Sequence, residues 1–92
     1  MPWTVQLKKQ VLKGIRKMPK RAKENLYALI KEIEDSGPVR GNWANYGKLG
    51  PGKHHCHFKK GNPTYVAVWE ETDGKINLVE VTYAGTHEKS PY

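Results

Sequence analysis

The second half of the chain narrows the choice of folds most. Three runs, KHHCHFKKG, PTYVAVWEE and INLVEVTYAG, follow one another with only GNP and TDGK at the joins. Glycine, asparagine, aspartate and proline supply tight turns, and links this short join antiparallel neighbours. The first run alternates, the second is nearly continuous apolar and so central, and the third is mixed. This part of the chain predicts a three-stranded meander.

The first half has other periods. WTVQL places Trp3, Val5 and Leu7 on one face of a short strand. From Lys8 the spacing of Val11, Leu12, Ile15 and Met18 becomes helical, and Pro19 interrupts it by removing a helix donor. A second helix has Ala22, Leu26, Leu29, Ile30 and Ile33 as its stripe, and DSGPV stops it. These helices form a hairpin. Residues 37–52, GPVRGNWANYGKLGPG, predict a structured loop with room for a short edge strand near Tyr46. The order β-α-α-β-β-β predicts an α+β fold: an antiparallel sheet with a two-helix hairpin on one face. Ninety-two residues make one domain, 1–92, too short for two cores.

Charge points to a partner. The formal net charge is +7, and residues 8–23 hold Lys8, Lys9, Lys13, Arg16, Lys17, Lys20, Arg21 and Lys23 with no acid among them. One-sided charge of this kind suits a polyanion, either nucleic acid or an acidic protein, although a short charge run is also what a solvated helix face shows. The single cysteine excludes an internal disulfide framework and fits a reducing cytoplasm. No apolar run approaches the roughly 18–20 residues of a membrane span, and MPWTVQLKK has no secretory h-region. The expectation is a cytoplasmic domain with no membrane partner.

Side chains alternate across a strand, so His55, His57 and Lys59 share one face and His54, Cys56 and Phe58 the other. Cysteine and phenylalanine are the buried types, which turns the second face to the helices. His54, at the strand start, is expected to turn out to solvent. Cys56 then points away from His55 and His57, no second cysteine exists, and no HExxH motif occurs. Neither a metal nor another cofactor is expected. Standing alone, the histidine run also fits a solvated strand face.

A fourth histidine follows the last strand in TYAGTHEKSPY, with Lys89 and Tyr92 beyond it. The first and third meander strands run the same way, so His87 is expected near the Lys59 end of the histidine strand. The gap across the central strand is about 10 Å. A phosphate fits there. RNA cleavage by its own 2′-hydroxyl needs a base, an acid and cations for the phosphorane, and histidine and lysine supply these without a metal. A ring such as Tyr92 stacks on a nucleobase. Trp3, Trp69 and Phe58 read as core, Trp43 and Tyr46 as packing that closes a loop, and Cys56 as buried and inert. Tyr83 fits core or site equally, and Glu88 and Lys89 read as solvating the tail.

WANY at Trp43–Tyr46, CHF at Cys56–Phe58 and GTH at Gly85–His87, in this order and strand placement, resemble the RelE/ParE superfamily of toxin–antitoxin toxins. Within it they are similar to the YafQ-like mRNA interferases. The organisation matches over the whole chain, the motifs over about residues 41–92. The resemblance implies a ribosome-dependent endoribonuclease that inhibits translation, with His57 and His87 as catalytic acid and base in an order left open. It gives Tyr92 the place of the terminal aromatic, and Lys59 stands where relatives vary. Lys8, Lys9, Lys13, Arg16, Lys17, Lys20, Arg21, Lys48, Lys53, His55 and Lys89 would bind RNA and the ribosome, the basic helix meeting ribosomal RNA phosphates. Departures are the insertion-like GKLGPGK, an aromatic five positions after His87, and no arginine in the last strand. Lys48, Lys53 or Lys89 are candidates for that missing charge. The implied partners are the ribosome, mRNA and a cognate antitoxin, with operator DNA reached only through the antitoxin complex. Two alternatives differ in kind: a ParE-like toxin that binds DNA gyrase without catalysis, and a plain nucleic-acid-binding domain.

Overall fold

The computed structural model describes residues 2–72, 74 and 77–92. Strand β1 (Thr4–Leu7) leads into helices α1 (Lys9–Lys17) and α2 (Lys20–Ser36), followed by strands β2 (Ala44–Gly50), β3 (Lys53–Lys59), β4 (Tyr65–Glu71) and β5 (Leu78–Thr86). A 3₁₀ turn, His87–Lys89, comes after β5. Asp73 and Lys75 of the expected TDGK turn, Ile76 of the expected last strand, and Met1 lie outside the described residues.

The sheet order is β1-β5-β4-β3-β2. Strands β2 to β5 pair antiparallel, as the short turns require. The edge strand β1 instead runs parallel to β5, with Val5 opposite Val79. The α+β class holds, and the sheet is mixed where an antiparallel one was expected. Parallel neighbours need a long connection, and here the helix pair and the other strands supply it. The Gly- and Pro-rich stretch carries the edge strand for which there was room near Tyr46, and seven of its residues form β2 on the other edge. Its ladder with β3 is broken by register shifts, which lets so irregular a sequence pair.

One hydrophobic cluster lies between the helices and the inner sheet face. Val11, Ile15 and Met18 enter it from the α1 segment, and Ala22, Leu26, Leu29 and Ile33 from α2. Cys56, Phe58, Ala67, Trp69, Val79, Val81 and Ala84 meet them from the sheet, and Trp3 packs on the rim. Leu12, counted in the helical stripe, is 47% exposed. The nine-residue α1 buries a narrower stripe than the sequence suggests, and Leu12 lies off it.

Two devices set the path from α2 to β2. Gly37 ends α2 at φ 95°, and a Cβ there would stand 3.0 Å from Trp3 Nε1, so position 37 takes glycine on both counts. Glu32 Oε1 then accepts from Asn42 Nδ2 (2.9 Å), Trp43 Nε1 (3.0 Å) and Arg40 Nη1 (3.1 Å). The Asn42 and Trp43 bonds hold the Glu32 carboxyl below its usual range. Trp43 is thus a packing residue that closes the segment, as expected.

Candidate active site

The outer sheet face carries the candidate site residues His55, His57 and Lys59. Val66 and Val68 of β4 are buried, yet they stand apart from the helix-side cluster. The register explains what lies beside them: His57 and Gly85 flank Val66, and His55 and Tyr83 flank Val68. Two imidazoles and a phenol thus border an apolar floor. The face expected to be open is half-covered by its own polar side chains.

His57 and His87 meet edge to face, with ring centroids 5.4 Å apart and planes at 75°. Two features bring them closer than the strand spacing expected from topology. Gly85, across Val66 from His57, has no side chain to fill the interval. The His87 amide then donates to the Thr64 carbonyl at 2.8 Å, holding the start of the 3₁₀ turn against the connection between β3 and β4. Tyr92 continues the set, 6.2 Å from His87 and 4.6 Å from His55. His57, His87, Tyr92 and His55 form a continuous chain of rings. A cleft of about 330 Å³ opens beside the pair, lined by His57, His87, Glu88 and the Gly61–Thr64 turn.

Burial holds His57 below the ordinary histidine value, and repulsion from His87, His55 and Lys60 adds to it. Burial alone lowers His55. The Tyr92 phenol is pushed up by burial, so it stays protonated across the physiological range. A neutral imidazole beside a second, exposed one can take a proton while its neighbour gives one. Among the described residues, no group of three or more His, Cys, Asp or Glu side chains is placed to hold a metal.

Other expected residues fall around this centre. Lys59 is half-buried, and its Nζ lies 3.6 Å from where a Cβ would stand on Gly61, at the cleft rim. Lys17 and Lys89 line one groove with Tyr83 and Thr86, which brings the end of α1 beside the His87 turn. Lys8, Lys9, Lys13, Arg16, Lys17, Lys20 and Arg21 are all exposed, and none forms an ion pair with a described residue. Lys53 sits opposite Glu70, about 13 Å along β3 from His57 at the usual strand rise. Lys48 is exposed on β2, opposite His54. Neither lysine lines the cleft. Glu88 does, where a merely solvated residue was expected, and Tyr83 belongs to the site face by its register with Val68.

His54 corrects the expectation that it turns to solvent. It is fully buried, with Nδ1 2.7 Å from the Tyr46 hydroxyl and Nε2 2.8 Å from Glu71 Oε2. Trp69 stacks on it at 5.8 Å, 9° from parallel. Strand parity already puts His54 on the inner face. Its partners are what the sequence hides, because Glu71 is 17 residues away in the chain and Tyr46 lies in a stretch that reads as loop.

No family model matches the chain, and a search of curated proteins finds no match. Solved structures do match. A mutant of the E. coli toxin RelE in the free state is similar with a TM-score of 0.72 and 23% identity, over 98% of this chain and 88% of that one. The YoeB dimer from Staphylococcus aureus gives 0.70 at 15% identity, covering 95% and 99% of the two chains. The archaeal RelE–RelB complex from Pyrococcus horikoshii gives 0.66 at 13%, covering 98% and 100%. The chain has the RelE-like fold.

Proposed function

We propose that this chain, as a single domain over residues 1–92, is the toxin of a toxin–antitoxin system. It cuts mRNA in the ribosomal A site and so inhibits translation. The observation that carries the reading is the His57–His87 contact at a cleft mouth, on a fold shared with RelE and YoeB toxins. The motifs WANY, CHF and GTH favour the YafQ-like branch.

The environment of His57 and the exposure of His87 support one assignment of roles. His57, whose charged form burial disfavours, takes the 2′-hydroxyl proton as that oxygen attacks phosphorus. The exposed His87 protonates the departing 5′ oxygen, leaving a 2′,3′-cyclic phosphate on the upstream fragment. No step calls for a metal. Lys59 at the rim and Lys89 beside the His87 turn stabilise the phosphorane charge, and Tyr92 stacks on a base. A site this open gains from a substrate held in place by another body, which suits a ribosome-bound mRNA.

The cations support a polyanionic partner. α2 begins with Lys20, Arg21 and Lys23, at the positive end of its dipole, and has no acid in its first turn. Stability alone favours the opposite sign there. Ribosomal RNA offsets this charge in the working complex. A cognate antitoxin offsets it at rest, as the RelE–RelB neighbour suggests, and in this reading that antitoxin alone links the toxin to operator DNA. Among the described residues, no helix is long and apolar enough to cross a membrane, and the reading places the protein in the cytoplasm.

Induction of wild type, His57→Ala and His87→Ala, with mapping of mRNA 5′ ends, tests the reading. Cuts are expected in wild type and reduced by about 10²–10⁴-fold in each variant. Toxicity unchanged by both substitutions would sink the catalytic assignment and leave a ParE-like binding toxin.

A further inference from the structure

Among the described residues, one buried side-chain nitrogen or oxygen lacks a hydrogen-bond partner: Nδ1 of His55. Folded proteins pair nearly all such atoms, and exceptions gather where a ligand completes the set. The position of this one is specific. His55 lies two residues before His57 on β3 and shares its face. Its register partner on β2 is Gly47, and Nε2 stands 3.1 Å from where a Cβ on Gly47 would be. A missing side chain on the neighbouring strand therefore makes the slot that the imidazole fills.

The other side of His55 is a wedge. Its ring and that of Tyr92 are 4.6 Å apart at the centroids but 45° apart in plane. Tyr92 is 42% exposed, so part of its ring is open to an incoming planar group. The far wall of the wedge leads to His87, 6.2 Å from Tyr92, and so to the reacting pair.

We propose that His55 reads the nucleobase next to the cut: a planar heterocycle enters the wedge, stacks on Tyr92 and meets Nδ1 with a polar atom of its edge. The inference rests on the endoribonuclease reading and adds a specificity-determining residue to it. Burial supports the role, since it disfavours the charged form of His55. A cationic imidazole binds phosphate whatever the base, whereas a neutral one offers one donor and one acceptor and so discriminates between base edges.

Two measurements decide it. Imidazole ¹⁵N spectra of the wild-type protein are recorded during titration with AMP, GMP, CMP, UMP and, as control, ribose 5-phosphate. The His55 Nδ1 resonance is expected to move with at least one nucleotide well beyond the control. No movement, or movement equal to that with ribose 5-phosphate, overturns the proposal, and this arm needs no variant to fold. The mRNA 5′ ends produced by wild type and His55→Ala are then compared. The base preference of the variant at the cleavage position, read as the ratio of cuts among the four bases, is expected to flatten several-fold. An unchanged preference overturns the role of His55 alone. Absence of cuts by the wild type overturns the endoribonuclease reading itself, and this role with it.

Discussion

The hydroxyl of Tyr83 donates to the Thr86 carbonyl at 2.7 Å, and the ring that carries it crosses Gly85. A Cβ at position 85 would stand 2.9 Å from the phenol oxygen and 3.2 Å from Cζ. Gly85→Ala therefore displaces Tyr83 and breaks the bond that steadies the backbone just before His87. A loss of about 1–2 kcal/mol is expected in urea melts, together with slower cleavage. Tyr83→Phe keeps the ring and loses only the bond, so its loss is expected near 1 kcal/mol or below. A Gly85→Ala protein that melts and cuts like wild type contradicts this packing.

His54 joins three strands, with Tyr46 from β2 and Glu71 from β4 on its two nitrogens. His54→Ala removes a ring stacked on Trp69 and strands the Tyr46 hydroxyl, for an expected cost of about 3 kcal/mol. Tyr46→Phe, which leaves only His54 Nδ1 unpaired, is expected to cost about 1–2 kcal/mol. Chemical denaturation of the two variants gives the order, and equal stabilities would argue against a shared network.

Cys56 lies wholly buried on the inner face, and burial pushes its thiol up to about 12. The thiolate is the reactive form, so native protein at pH 8 is expected to resist thiol reagents and unfolded protein to react at once. Absorbance with a disulfide indicator, read with and without guanidinium, checks this. Rapid native labelling would place the residue elsewhere.

His55 and His57 are both held below 6.5 in the folded protein. The unfolded chain then binds more protons than the folded one as pH falls through that range. Stability is full above the unfolded value and is lost as pH drops through the folded values. The melting temperature is expected to fall between pH 7.5 and 5.5, and less steeply in a His55→Gln, His57→Gln double variant. Parallel slopes would show that other groups govern the acid response.

What the sequence revealed and what it concealed follow one physical line. Alternation placed Cys56 and Phe58 inside and His57 outside, because strand period needs only neighbours in the chain. Topology alone placed His87 near the far end of β3, since two tight turns leave little freedom. The contact itself depends on Gly85 being small and on one backbone bond to Thr64, and neither is visible as a pattern. β2 was legible only as room for a short edge strand near Tyr46, because an edge strand with few buried side chains carries little hydrophobic signal to set its length. The burial of His54 rests on partners distant in sequence. Leu12 fits the helical period and still lies exposed, because the width of a buried stripe depends on what the helix packs against.

The parallel pairing of β1 with β5 also sets a timetable. Thr4 finds its partner only at Leu78, so the first strand stays unpaired while almost all of the chain that follows is made. Helices and hairpins close short loops and form early, whereas a pairing this non-local waits on the entropy of a long one. His87 lies later still, beyond the end of β5. In a chain growing from its N-terminus, the scaffold therefore assembles in stages, and His87 reaches His57 only after the strands between them have been made.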